Sequence, residues 1–452
     1  MQDQARPQDR LPARLGGPQA AHCRIAQRHR QTGGIGIGLK KEYRRIPPLG
    51  TDMKYPTPPT VIPLDNILPD EPLLMMGAGP VPIPPKVAMA NSLIINHLGD
   101  TMNAVIEQVK TMGRYVFQTN SPHVMGVAGP ASAAMEMAIA NLVEPGTRVL
   151  SICNGLFSRR LAEMADRVGG DVTRLDAPDK RAISAEDVEK ALKTGRFQIL
   201  TVVQGETSNT VWNRDLVEIC RLGKQYGCLN IVDAVCTLST MPMEMDEWMV
   251  DAIITGGQKG LSSIPGVSLI AFSEEAFARI EARNSPMAHW CLDARLAHQF
   301  WHNHSYHYTA PVSGILALHE ALRLIGDETL PGRFRRHAQC SKALQNGVEA
   351  MGLKLLIAED SRLNSVVGIE LPEVISADQV RHIMSQVHKV EISGAFGLPI
   401  VRIGQMGEQS RAPNLFRTLH ALGSAMRAAG GKVDMPGGMA ELERSLASEV
   451  RG

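Results

Sequence analysis

The chain is short of net charge, of paired cysteines and of long apolar runs, and each shortage excludes something. Its 47 Lys and Arg stand against 46 Asp and Glu, a formal charge of +1, so no overall field draws it to nucleic acid or to an anionic membrane. Seven cysteines, an odd number with no Cys-x-x-Cys pair, argue against a disulfide framework and fit a reducing, cytoplasmic setting. No apolar run approaches the ~20 residues of a helical membrane span. The first fifty residues have no serine and only three acids against ten Arg or Lys. Without apolar periodicity they read as a disordered basic tail, or as sequence upstream of a start at Met53. The missing serine argues against an organelle presequence, and the missing apolar core against a secretory signal. "GIGIG" at Gly34 to Gly38 has neither a strand before it nor an amphipathic helix after it, so it is no dinucleotide loop.

What is present is a long alternation of helix and strand. The 452 residues suffice for two or three domains. After an extended entry, "LLMMGAGPVPIPP", apolar residues at helical spacing predict a helix over 101–117. "HVMGVAGPASAAMEMAIANLVEPG" reads as strand, small-residue turn and helix. "RVLSIC", "DVTRLD", "QILTVVQ", "LNIVDAV", "DAIITGG" and "VSLIAFS" read as strands, with helices such as "SAEDVEKALKTG" between several of them. Apolar strands alternating with helices predict α/β architecture with a mostly parallel sheet covered on both faces. The expected division is a disordered basic tail and extended arm over 1–70, a large domain over 71–326, a smaller α+β domain over 327–434 and a helical tail over 435–452.

Ligands of such sheets bind beyond the carboxyl ends of the strands. One such end, "IITGGQKGLSSIPG", sets Lys259 among glycines and small polar residues. The lysine either points into solvent from a loop or forms a Schiff base with a carbonyl cofactor that the glycines let approach. Pro130, Ala131 and Ser132 mark a helix N-terminus suited to a phosphate, or an ordinary small-residue turn. Thr207 and Ser208 follow a strand and offer hydroxyls. Asp233 ends an apolar strand, where a carboxylate is costly without a positive partner. Val235 continues the apolar face, and Gln258 precedes the lysine. A buried acid, a candidate Schiff-base lysine, hydroxyls and a phosphate-ready helix end match the needs of pyridoxal 5'-phosphate, whose ring nitrogen must stay protonated to act as an electron sink.

"YVFQT", "NLVEPG", "QGETSNT", "IVDAV", "GGQKGL", "SLIAFS", "YHYTAPVSGILALHEAL" and "VRIG" occur in an order and spacing that resembles the class V, fold type I aminotransferases. The nearest branch is that of the alanine-glyoxylate and serine-glyoxylate enzymes, with ureidoglycine-glyoxylate and pyridoxamine-pyruvate aminotransferases close by. The likeness runs from about Leu73 to Ala429. It implies a large domain with a mostly parallel seven-stranded sheet, a smaller C-terminal domain, and a homodimer or dimer of dimers with shared active sites. It further implies that Lys259 is the Schiff-base lysine, that Asp233 pairs with the pyridine nitrogen, and that Val235 and Phe157 cover the two ring faces. Thr207 would bond the ring hydroxyl region, and Ser132, the Ala131 N–H and Gln258 would hold the phosphate. Tyr306 and Thr309 would reach the phosphate of the neighbouring subunit. Arg402 would grip the substrate carboxylate with a bidentate fork; the bland alternative is a surface arginine of the small domain, which its flanking apolar residues argue against. The implied reaction moves an amino group from a small donor, of the alanine or serine type, to a 2-oxo acid, glyoxylate or pyruvate, by a ping-pong route through Lys259.

The chain departs from the glyoxylate enzymes at Pro130, Ala131 and Ser132, where they usually read Ser-Gly-His, and at Asn96, His97 and Asp100, where they often read Gly-His-x-x-Pro. The end of the chain is most similar to the pyridoxamine-pyruvate enzymes, the alternative reading. Yet Pro130 and Ala395 stand where those have an acid and a second arginine. A cysteine desulfurase-type lyase is a weaker alternative, since Phe157 takes the place of a stacking histidine. "HQFWHNHSYHYT" puts His298 and His302 on one helical face, but no cysteine or carboxylate cluster completes a metal site.

Overall fold

The structure is a computed structural model in which residues 58–395 and 397–447 are described. The segment Met1–Pro63 is a unit by itself, of which residues 58–63 form an irregular exposed stretch. The expected disordered tail over the first fifty residues lies outside the described residues.

From Leu64 onward the centre is a seven-stranded sheet. Its strands are β1 (Val124–Ala128), β2 (Arg148–Cys153), β3 (Asp171–Asp176), β4 (Ile199–Val203), β5 (Leu229–Asp233), β6 (Ala252–Gly256) and β7 (Val267–Phe272), in spatial order β1-β7-β6-β5-β4-β2-β3. Only β7 runs antiparallel to its neighbours. The sequence pattern follows from this placement. The inner strands β4 to β7 are buried at every residue, so they read as unbroken apolar runs, whereas "DVTRLD" forms the edge strand β3 and is largely exposed. Helices α1 (Asp100–Phe117), α2 (Ala131–Leu142) and α3 (Leu156–Arg167) pack against this sheet and share one large core with it.

Helix α4 (Val312–Glu328) still packs into that core, while α5 (Leu330–Ala350) leaves it and enters a second core from Cys340 onward. The second core covers a four-stranded antiparallel sheet of β8 (Lys354–Leu355), β9 (Val366–Glu370), β10 (Ser393–Ala395) and β11 (Leu398–Gly404), ordered β8-β9-β11-β10. Helices α6 (Ala377–His388) and α7 (Ala412–Ala428) complete it. Met435–Ala447, expected as a helical tail, is helix α8, and it lays the fully buried Leu442 into this second core. The entry segment is threaded between the sheets: Leu74–Met75 pairs with Val390–Glu391, and the Gly404 N–H donates to Met76 O at 2.7 Å. Among the described residues no helix is long and apolar enough to cross a membrane.

Candidate active site

Three chain segments meet at the carboxyl ends of β5 and β6. Asp233 closes β5 and is 5% exposed. Its Oδ1 accepts the Val235 N–H at 2.7 Å. Burial pushes its carboxyl up to about 7; Glu206 pushes the same way, while the Val235 N–H, Lys259 and Arg160 oppose it. Among the described residues no cation lies within ion-pair distance, so the carboxylate is buried at a cost that a cationic ring nitrogen would remove.

Lys259 follows β6 and donates through Nζ to the Ala78 carbonyl of the entry segment. Burial holds its ammonium below the ordinary lysine value, and Arg402 adds to that while Cys236 and Asp233 oppose it. The fit around it is tight. A Cβ on Gly79 would lie 2.6 Å from Nζ and displace the lysine tip, and its φ of +98° favours glycine at that position. The lysine is therefore held, as its setting among glycines predicts, and it does not point into solvent.

Arg402, at the middle of β11, is buried rather than superficial. Its Nε donates to Gly394 O at 2.8 Å and its Nη1 to the Thr207 carbonyl, tying the small sheet to the loop after β4. It lines a cleft of about 590 Å³ together with Gly77, Gly79, Pro80, Ser393 and Gly394. Gly79 borders that cleft and touches Lys259, so one thin wall of backbone separates the lysine from the arginine's cleft. Ser393 Oγ steadies the wall by accepting the Ala78 N–H at 3.0 Å.

The opposite end of the site is the N-terminus of α2. Pro130 occupies the cap position and no side chain caps the helix; the Ala133 N–H turns back to Pro130 O at 2.8 Å, which leaves the Ala131 and Ser132 amides as donors to whatever lies beyond. Gln258 is next to it: a Cβ on Gly256 would come 2.8 Å from both Ala131 Cβ and Gln258 Oε1. The Gln258 Oε1 and both side-chain polar atoms of Asn154 are buried without a partner. The uncapped amides suit an anion, whereas the orphaned Gln258 Oε1 is an acceptor, so toward an anion Gln258 can serve only through its Nε2. Val235 is half-buried beside Asp233, and Phe157 is half-buried at the start of α3.

Two residues that the sequence pattern did not single out shape this end. Glu206 is fully buried, and its carboxylate accepts the Phe157 N–H, the Ser158 N–H and hydroxyl, and the Ser208 N–H and hydroxyl. It thus fixes the first turn of α3 and, through it, Phe157. Ser208 is engaged in the same network, donating to Glu206 at 2.5 Å and accepting the Leu156 N–H at 3.0 Å, so its hydroxyl is structural. Arg160 is the second; its Nη1 donates to Ser132 Oγ at 3.2 Å. The spacing of Phe157 and Arg160, three residues apart, is the signal that could have found it.

Tyr306 and Thr309 do not join the group. Both are exposed, Tyr306 at 63%, in the loop after the helix Ala294–Asn303. His298 and His302 do stack on that helix, ring centroids 4.2 Å apart, but among the described residues no group of three or more His, Cys, Asp or Glu could hold a metal ion.

The sequence profile of "Aminotransferase class-V" matches residues 88–404. The chain belongs to the class V aminotransferases. It is 32% identical to an alanine–glyoxylate aminotransferase of Drosophila melanogaster over 82% of this chain and 96% of the relative. Its fold matches the crystal structure of an alanine–glyoxylate aminotransferase from Nostoc sp. with a TM-score of 0.78 at 33% identity, covering 81% of this chain and all of the other. It also matches a pyridoxamine–pyruvate aminotransferase from Mesorhizobium loti with a TM-score of 0.80 at 25% identity, covering 84% and 99%. The class V aminotransferase is thus an enzyme of fold type I that works with pyridoxal 5'-phosphate, and its residues suit that group. The unpaired Asp233 suits a cationic ring nitrogen, the desolvated Lys259 an aldehyde, and the uncapped α2 a phosphate.

Proposed function

We propose that this aminotransferase moves an amino group from a small donor of the alanine or serine type to glyoxylate or pyruvate, with Lys259 as the Schiff-base lysine. The observation that carries the reading is the meeting of Lys259 and Arg402 on either side of the Gly79 wall, which sets a carboxylate-binding fork beside a desolvated amine. When bound, the cofactor supplies an electron sink that acidifies the donor's α-carbon. The chain does the rest. Asp233 holds a proton on the ring nitrogen, Val235 and Phe157 cover the ring faces, and Thr207 bonds the region of the ring hydroxyl. The first amides of α2 from Ala131, with Ser132 and Gln258, hold the phosphate. Arg402 grips the substrate carboxylate through donors not already committed to Gly394 and Thr207, which orients the Cα–H bond toward Lys259. Lys259 Nζ, whose charged form burial disfavours, takes the α-proton and returns it on the far side of the transfer.

We further infer a homodimer in which Tyr306 and Thr309 complete the phosphate site of a second copy. Their exposure in one chain supports this. A cytoplasmic location is supported by the six free cysteines among the described residues. The relatives' names support glyoxylate as acceptor, and the fold match to the Mesorhizobium loti enzyme keeps pyridoxamine with pyruvate as the second reading. The deciding experiment mixes the cofactor-loaded enzyme with alanine, serine or pyridoxamine and follows the visible cofactor band. Loss of the band with alanine or serine, and its return with glyoxylate or pyruvate, supports the proposal. A band that responds only to pyridoxamine selects the second reading, and one that responds to none refutes both.

A further inference from the structure

Arg160 stands one turn beyond Phe157 on α3, and its guanidinium meets two neighbours. Nη1 donates to Ser132 Oγ at 3.2 Å, and Cζ lies 4.9 Å from the Phe157 ring centroid. The first contact brings the charge to the opening turn of α2. The second rests it on an aromatic face, which fixes the planar fork before any ligand arrives. Among the described residues no carboxylate pairs with Arg160. Glu136 and Glu163 line the outer cleft that it borders, but Glu163 pairs with Arg167. A guanidinium that donates to a neutral hydroxyl keeps most of its five donors for something else.

The other groups at this end that can face an anion are neutral, namely the amides of Ala131 and Ser132, the Ser132 hydroxyl and the Gln258 carboxamide, while the buried Glu206 carboxylate is turned to the donors of Phe157, Ser158 and Ser208. A phosphate monoester carries a charge of about −1.5 to −2 at neutral pH and binds most strongly where a cation forks onto its oxygens. The remaining cations of the site are committed elsewhere. Lys259 bonds Ala78, and Arg402 bonds Gly394 and Thr207 at the small sheet.

We propose that Arg160 is a direct ligand of the cofactor phosphate, the cationic member of a cradle otherwise built from Ser132, the first amides of α2 and Gln258. The inference rests on the cofactor reading above and extends it to a residue that packs outside the ring site. Ser132 becomes the hinge of the cradle, since its hydroxyl accepts from Arg160 and can donate to the phosphate at the same time.

The test compares wild type with Arg160→Gln and Arg160→Lys, each stripped of cofactor and titrated with pyridoxal phosphate and, separately, with pyridoxal, which lacks the phosphate. Binding is read from the visible band, and the phosphorus resonance of bound pyridoxal phosphate is followed against pH. Losing one charge-assisted contact should weaken pyridoxal phosphate about ten- to hundredfold in the Gln variant and leave pyridoxal unchanged. The Lys variant should recover part of the loss, and the phosphate of the Gln variant should protonate at higher pH than that of wild type. A Gln variant that binds both aldehydes like wild type overturns the proposal. So does one that loses affinity for both equally, which would mark Arg160 as structural. A wild type that binds neither aldehyde refutes the cofactor reading itself, a result separate from a wild type that binds normally beside an unaffected variant.

Discussion

Replacing Asp233 by Asn should stabilise the cofactor-free protein at neutral and alkaline pH while destroying its function. The carboxyl is pushed up to about 7 from an ordinary 3.8 by burial. At about 1.4 kcal/mol per pH unit, that difference corresponds to about 4 kcal/mol of folding stability forgone. Relaxation and water entry around the carboxylate reduce it, and we expect about 2 kcal/mol, or about 2–3 °C in melting temperature for a unit of this size. Between about pH 4 and 7 the folded chain keeps a proton at Asp233 that the unfolded chain has released, so wild-type stability falls as pH rises through this window. Above about 7 the whole deficit is present, and below about 4 none of it. Asn has no charge to bury and its carbonyl still accepts the Val235 N–H. The melting difference between the cofactor-free variant and wild type should therefore be largest at pH 8, shrink to about a third by pH 5, and vanish below. Adding cofactor should reverse the order, because a cationic ring nitrogen turns the wild-type carboxylate from a liability into a partner. Thermal melts by circular dichroism across pH, with and without cofactor, read this directly. A difference that is absent, or equally large at pH 5 and pH 8, refutes the placement of an unpaired buried carboxylate at position 233.

Glu206→Gln leaves at least two of its donors facing an amide NH2, and should cost about 2–4 kcal/mol in denaturant unfolding. It should also shift the band of bound cofactor through the loosened Phe157; unchanged stability would show that the network is dispensable. Arg402→Ala should raise the KM for the 2-oxo acid about a hundredfold, and Arg402→Lys should recover little of it in steady-state kinetics, since a point charge cannot replace the fork. Equal kinetics for Lys and Arg at 402 would contradict bidentate binding.

Most of the fold is legible because its strands are buried on both faces. "ILTVV" and "VSLIAF" have no polar side to hide, and they appear as β4 and β7 within a residue of where the pattern puts them. Residues at strand ends were legible for a related reason: Asp233 and Lys259 are chemically out of place beside apolar runs. Glu206 shows the limit. An acid among Gly, Thr and Ser looks solvated, and only the fold reveals that α3 begins directly above it, with amides to be satisfied. Arg160 is hidden for another reason, since "SRR" offers two arginines and helical phase alone separates the inward one from Arg159, which pairs with Asp176 outside. Tyr306 and Thr309 are exposed in one chain, and the role proposed for them requires a second copy.

The most direct measurement is reduction of the cofactor-loaded protein with borohydride, followed by digestion and mass mapping of the modified lysine. The cofactor should be fixed on Lys259 alone, and Lys259→Ala should carry none. Fixation on a different lysine, or a coloured protein in which borohydride fixes nothing, would contradict the placement of the reaction at this residue.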